Sequence, residues 1–337
     1  MDRSTIRPLI AALLACGLAA SATPALAWGH PAHAVIDRAA IEALPADGPV
    51  FLKDHLDYIT GSATLPDKWR NATEPFAKIE EDPNHGWFRE QFAFLKPLPR
   101  SRYAFILALY REHLRLKDRD PATAARMNVR WTGTLPYAAM EQYGQMVAEM
   151  RLLRAARTKG EAAQARILEQ NIAHSVVRLG HYIGDGSQPL HNSVNSDGWR
   201  GDNPKGYTLD RKIHGRFESD YVAAIGLSVA DIRPVMAAPD ALAGDLFDQV
   251  LAFLDRSGGE MEHVYALDKR GALADPQDGE ARRLVHDRAA AGAAMLRDMI
   301  ARGWRESATA PTAADPLDPT NPAYDPETGS APPPPGL

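Results

Sequence analysis

Residues 160–191 read GEAAQARILEQNIAHSVVRLGHYIGDGSQPLH. Up to residue 184 the apolar side chains recur with a helical period, and the alanine content favours the same state. Gly184, Gly186 and Pro189 predict the end of this helix, with His191 just past the break. A second long helix is expected beside it over 134–157. Working outward, 101–116 opens with a serine cap and sets Phe105, Leu107, Leu109 and Leu114 among charges. Further helices are expected over 210–226, 239–256 and 279–303, and loops over 60–100, 186–209 and 257–278, where Gly, Pro, Asn and Asp gather. Alternating strand-like runs are scarce and no internal repeat is present. The pattern predicts an all-α, single multi-helical domain over about residues 28–306.

The two ends read differently. Residues 1–27 carry Arg3 and Arg7, an apolar run from Pro8 to Ala20, and the ending Ala25-Leu26-Ala27. A basic start, a short apolar stretch and an A-x-A site make a cleavable secretory signal. Cleavage between Ala27 and Trp28 predicts a periplasmic or secreted protein that begins at Trp28. A competing reading takes Leu13-Leu14-Ala15-Cys16 as a lipoprotein cleavage box. Residues 307–337 hold nine of the 26 prolines and no Lys or Arg. Such a segment buries too little apolar surface to fold, so a disordered Pro-rich tail is expected.

Composition then narrows the chemistry. The one cysteine, Cys16, lies inside the signal, which excludes a disulfide framework and a cysteine-ligated zinc site. The net charge of −5 argues against electrostatic wrapping of nucleic acid, though not against a small catalytic cleft that binds it. Most of that charge belongs to the tail, so the body is nearly neutral. Any metal must be held by nitrogen and oxygen, and the eleven histidines are the residues to follow.

His181 and Asp185 stand one helical turn apart, so both reach one cation from the same face. His214 and Glu218 repeat that spacing. A lone His-x-x-x-carboxylate is more often a surface hydrogen bond; two such pairs and His191 at a helix break suit a nitrogen–oxygen zinc site. The stretch Trp28-Gly-His30-Pro-Ala-His33 adds a free α-amine, once the signal is cut, beside two imidazoles. Asp67 and His85 each offer one ligand in loop-like sequence, where a helix cap and a surface residue are the plainer roles.

Together these positions resemble the zinc-dependent phospholipase C and S1/P1 nuclease superfamily, over the span from Trp28 to Glu218. The shared features are the mature tryptophan, a histidine shortly after it, an Asp then a His, the block H-x-x-G-D-x-x-Q-P-L-H, and a closing H-x-x-x-[DE]. The resemblance implies a mostly helical fold with three Zn2+ per chain in one cleft. One zinc would be held by Asp67, His85, His181 and Asp185, and a second by His191, His214 and Glu218. A third would take the backbone amine and carbonyl of Trp28, with His33 and a bridging oxygen of Asp185. His30, His55, His113, His174, His263 and His286 match nothing, His174 being the best placed of these to support a ligand.

The short Trp28–His33 spacing, the 23-residue step from His191 to His214 and the pair Asp67-x-x-Arg70 look like the nuclease branch. Glu218, where nucleases usually carry Asp, looks like the phospholipase branch, and the segment between His85 and His181 is longer than either has. The resemblance implies a phosphodiesterase acting on single-stranded DNA or RNA to give 5′-phosphate products. Asp67 would orient or deprotonate the attacking water, and Arg70 would neutralise charge on the phosphoryl oxygens. Trp87 and Phe88 are expected either to stack on a nucleobase or to pack in the core. With a near-neutral body, the metals rather than Lys and Arg would supply the cleft's positive charge. Two alternatives stand beside this: a phospholipase C acting on a choline-type phospholipid head group, and a non-catalytic zinc-binding periplasmic protein.

Overall fold

The computed structural model describes residues 28–70 and 73–309. The signal sequence, Cys16, the Ala27–Trp28 cleavage site and nearly all of the Pro-rich tail lie outside the described residues. The structure is helical, with one isolated β-bridge, Trp87 to Gly133, and no strand among the described residues. No described helix is long and apolar enough to cross a membrane.

The chain begins with α1 (His30–Glu42), α2 (Leu56–Gly61), α3 (Leu65–Arg70) and α4 (Pro75–Glu81). Next come α5 (Arg102–Leu116), the single turns α6 (Pro121–Ala124) and α7 (Val129–Thr132), and the long pair α8 (Leu135–Lys159) and α9 (Ala162–Ser187). Short helices α10 (Ile213–Gly215), α11 (Val222–Ile225) and α12 (Val229–Ile232) lead to α13 (Leu246–Gly258), α14 (Met261–Lys269) and α15 (Gly279–Glu306).

The α8–α9 pair is joined at Gly160, whose φ of 73° lies in the left-handed region that ends a helix cheaply only at glycine. At 26 residues α9 is about 39 Å long. It packs against α8, α15, α1 and α13, so the chain from Leu179 to Ser193 is buried on every side. A helix buried all round cannot show a polar face to water, and polar groups on this stretch must be satisfied inside. Those groups include His181, Asp185, Gln188 and His191.

Gly184 and Gly186 do not end the helix, which runs on to Ser187 and stops before Pro189. They are points of close approach. A Cβ on Gly184 would lie 2.5 Å from the Nδ1 of His33, on α1, and one on Gly186 2.6 Å from Leu254, on α13. The helix loses some intrinsic propensity there, roughly 1 kcal/mol per glycine, and gains tight packing of two neighbours.

Other expected boundaries also move. The stretch 60–100 is not one loop: Pro66 and Pro75 occupy first-turn positions of α3 and α4, where a missing N–H costs nothing. The expected loop 257–278 contains α14, which starts just after the Gly258-Gly259 pair that closes α13. The helix expected over 239–256 begins only at Leu246, where the Asp245 side chain accepts the N–H of Asp248 as a cap. The expected serine cap is present, with Ser101 Oγ accepting the N–H of Ala104 at 3.1 Å.

Glycine substitutions separate packing from propensity. Gly184→Ala should destabilise the fold by about 1–3 kcal/mol through overpacking against His33. Gly144→Ala, on α8 where nothing lies within 4 Å of the new Cβ, should stabilise it by about 0.5–1 kcal/mol. Urea unfolding midpoints of the two variants check both signs.

Candidate metal centre

Seven segments deliver side chains to one buried cluster. α1 brings His33, the first turn of α3 brings Asp67, and the turn after α4 brings His85. α9 supplies His181 and Asp185, and the turn that follows supplies His191. His214, on α10, and Glu218, in a six-residue π-helical stretch (Arg216–Tyr221), complete the set on one face. All eight are buried.

Their donor atoms form three groups, each with its donor atoms within 4.8 Å of one another: His33, His181 and Asp185; Asp67, His85 and His181; His191, His214 and Glu218. Donors bound tetrahedrally to one zinc at about 2.1 Å stand about 3.4 Å apart. Around His85 the separations are 2.9 Å to Asp185, 3.1 Å to His181 and 3.6 Å to Asp67. His181 lies 3.5 Å from Asp185, and His33 3.3 Å from the other oxygen of Asp185. In the third group, His214 is 3.1 Å from His191 and 2.9 Å from Glu218, while His191 is 3.5 Å from Glu218. These are the edge lengths a cation would impose.

The ring orientations agree. Nδ1 of His181 donates to the Ala63 carbonyl at 2.9 Å, Nδ1 of His191 to the carbonyl of His85, and Nδ1 of His214 to that of Ser196 at 3.2 Å. Each bond fixes the tautomer and turns the Nε2 lone pair inward, as metal-ligating imidazoles require. The Nε2 atoms of His191 and His214 then face one another at 3.1 Å, which is repulsive unless a proton or a cation lies between them. His33 forms no hydrogen bond at either ring nitrogen, and neither do Oδ1 of Asp185 and Oε1 of Glu218, although all are buried. Orphaned buried groups of this kind cost folding energy unless a ligand pairs them. The donor set therefore fits divalent metal held by nitrogen and oxygen.

Without metal, protons must do that work. Burial pushes the carboxyls of Asp67 and Asp185 up to about 7; Arg70 opposes this at Asp67, and His191 and Arg70 oppose it at Asp185. Burial holds His33 down at about 4 and His85 and His181 well below the ordinary imidazole value. Burial would also lower His214, but the Glu218 carboxylate overrides it and raises the ring to about 9. Burial pushes Glu218 upward as well, but His214 and His191 win and leave it near 2.

Arg70 stands 3.2 Å from Asp67 and lines the mouth of the cluster, a cleft of ≈ 320 Å³. Phe88 also lines the cleft, but Trp87 does not. Trp87 is fully buried among Phe92, Phe105 and Tyr137, so of the expected pair only Phe88 faces the cleft. The reason is local. The Trp87–Gly133 bridge sets Trp87 inward, and successive side chains on strand-like backbone point opposite ways. The side chain of Trp28 packs beside the cluster, its indole N–H donating to Ser187 Oγ at 3.1 Å, and the next N–H, of Gly29, donates to the Glu218 carbonyl at 3.3 Å. His174 bonds the Tyr58 hydroxyl, outside the cluster.

Glu81 went unnoticed in the sequence. It lies buried behind His85, 3.8 Å from Nε2, and accepts hydrogen bonds from Tyr182 at 2.8 Å, Asn84 at 3.3 Å and Arg178 at 3.4 Å. Its spacing, four residues before His85, was the available signal; Pro83 between them suggested a loop. With Nδ1 of His85 facing the cluster, Nε2 carries the proton, and Glu81 is the carboxylate that faces it.

The cleft also gathers Arg70, Arg130, Arg200 and Arg211. This corrects the expectation that Lys and Arg contribute little positive charge there.

Metal uptake must displace protons from Asp67, Asp185 and His214, so affinity rises with pH up to about 9. The sign agrees with folding linkage: the raised carboxyls favour the metal-free fold at low pH, and that contribution is lost as pH rises through about 7. The rise in melting temperature on adding zinc should therefore be larger at pH 8 than at pH 5.5. Glu81→Gln should weaken zinc binding about 10–100-fold, read by competition with a chromogenic chelator, with helicity unchanged.

Comparison with protein-family models, with curated proteins and with solved structures yields no match, and the chemistry of the centre is read from its own geometry.

Proposed function

We propose that the chain is an exported zinc-dependent phosphodiesterase that hydrolyses single-stranded DNA or RNA to 5′-phosphate products. One observation carries the reading: three adjacent buried donor groups lie under a cleft that His85, His191 and His214 reach and that four arginines line. Metals buried at the floor and guanidinium groups at the mouth suit a phosphate ester. The signal-like residues 1–27 support export, and cleavage there would free the Trp28 amine, next to the Gly29 N–H that meets the Glu218 carbonyl, as a further donor.

Asp67, His85, His181 and Asp185 would hold one zinc and His191, His214 and Glu218 a second. The Trp28 backbone, His33 and Asp185 would hold a third. When bound, zinc supplies Lewis acidity that makes water nucleophilic near neutral pH and draws charge from phosphoryl oxygens.

The chain's own residues do the rest. Asp67, held by Arg70, orients the attacking water and accepts its proton. The water oxygen bonds to phosphorus as the bond to the 3′ oxygen breaks. That oxygen takes a proton from solvent through the open cleft, and the 5′-phosphate stays on the other product. Arg70 meets the negative charge growing on the non-bridging oxygens. Phe88 offers a ring for a base adjacent to the scissile phosphate. The four arginines disfavour a choline-type head group, whose cation they would repel.

Zinc-loaded protein should cleave single-stranded DNA and RNA. Turnover of phosphatidylcholine emulsions without nucleic-acid cleavage would instead identify a phospholipase. Asp67→Asn should lower kcat about 10²–10⁴-fold with helicity intact. Unchanged turnover in that variant would remove Asp67 from the mechanism. No turnover of any diester by the wild type would leave a zinc-binding protein without catalysis.

A further inference from the structure

The cleft extends well beyond the donor atoms. Its outer wall is made by Arg130 and Trp131, on α7, and by Arg200 and Arg211, in the segment between His191 and His214. Neither side is loosely built. Asn128 caps α7 by accepting the N–H of Arg130 at 3.1 Å. The N–H of Arg200 is held at 2.8 Å by Oδ1 of buried Asn195, whose carbonyl accepts the Tyr265 hydroxyl at 2.6 Å. Trp199 is wedged against Tyr207 and Tyr265, with ring centroids 4.8 and 5.3 Å away. Across the cleft, the Arg200 guanidinium lies over the Trp131 ring at 5.7 Å, so two sequence-distant segments fix one charge.

These cations are not neutralised. Arg130, Arg200 and Arg211 form no ion pair with a carboxylate among the described residues, whereas nearby Arg216 is held by Asp210 and Asp268. The two acids at the cleft are engaged elsewhere: Asp82 pairs with Lys78 at 2.9 Å, and Asp197 faces His214 at 3.6 Å. Three exposed guanidinium groups line one cleft beside the donor cluster, that of Arg200 fixed over Trp131, and make a binding site for an anion with several acceptor oxygens.

We propose that Arg130, Arg200 and Arg211 form a second phosphate subsite, which holds a phosphodiester neighbouring the scissile one. The site then selects a strand carrying at least two phosphates over any single-phosphate diester. Trp131 acts as a positioning residue, presenting Arg200 to the cleft. This subsite rests on the phosphodiesterase reading of the same cleft.

The test compares bis(p-nitrophenyl) phosphate, which has one phosphate, with an oligothymidylate, which has several, on zinc-loaded protein. In Arg200→Ala/Arg211→Ala the ratio of kcat/KM for the oligomer to that for the small diester should fall about tenfold or more, mainly through KM, and Lys at both positions should restore much of it. Binding of the oligomer, followed by fluorescence anisotropy, should lose about 1.4 from its logarithmic salt slope, near 0.7 for each contact removed. Trp131→Ala should lower the same ratio with kcat unchanged. A ratio and a salt slope equal to the wild type in the double variant would overturn the subsite. If the wild type hydrolyses neither diester, the catalytic reading fails, and the anisotropy arm still decides the subsite alone.

Discussion

The structure turns on the burial of ionisable groups. Three carboxylates and five imidazoles meet in the interior, all of them out of water. Such a set cannot be buried fully charged, since isolated carboxylates in low dielectric cost far more than a domain's net stability. In the metal-free chain protons settle the conflict, on Asp67, on Asp185 and between His214 and Glu218. Divalent cations settle it better, because one ion satisfies several donors at once. The backbone carbonyls of Ala63, His85 and Ser196 have already chosen the tautomers that such ions need.

Everything else in the fold holds those donors at that spacing. The last turns of α9 are the spine, and Gly180, Gly184 and Gly186 let neighbours come closer than any side chain would permit. Oδ1 of Asp37 would lie 2.3 Å from a Cβ on Gly180, much as His33 approaches Gly184. The imidazole of His33 therefore stacks on His181 with centroids 4.4 Å apart, a contact that glycine across the groove makes possible. The arginines of the outer wall come from other segments, of which the one carrying Arg200 and Arg211 also supplies the Ser196 carbonyl that orients His214.

How much of this was legible depended on whether chemistry ran along one element or between several. His181 with Asp185, and His214 with Glu218, could be read directly, because helical geometry makes residues four apart neighbours. His33, Asp67 and His85 sit on different elements, and no periodicity links them; only a resemblance brought them together. The glycines of α9 were misread because glycine means both termination and close approach, and only packing tells them apart. Trp87 and Phe88 were inseparable in sequence, yet a single bridge to Gly133 turns Trp87 into the core and leaves Phe88 on the cleft. The cleft arginines were invisible for a different reason. Net charge averages over the chain, and Arg70, Arg130, Arg200 and Arg211 come from separate segments that only the tertiary fold gathers.

The order of the donors along the chain has a consequence for biosynthesis. His33 is contributed near the start of the domain and Glu218 some 185 residues later, with the others spread between them. No fragment shorter than that span holds a complete set, so the centre cannot close while the ribosome is still making its first two-thirds. Contacts this remote form late, after the helical hairpin of α8 and α9 has had time to assemble locally. A growing chain thus carries its histidines and acids apart and open to water, and holds the full donor set only once Glu218 has been made.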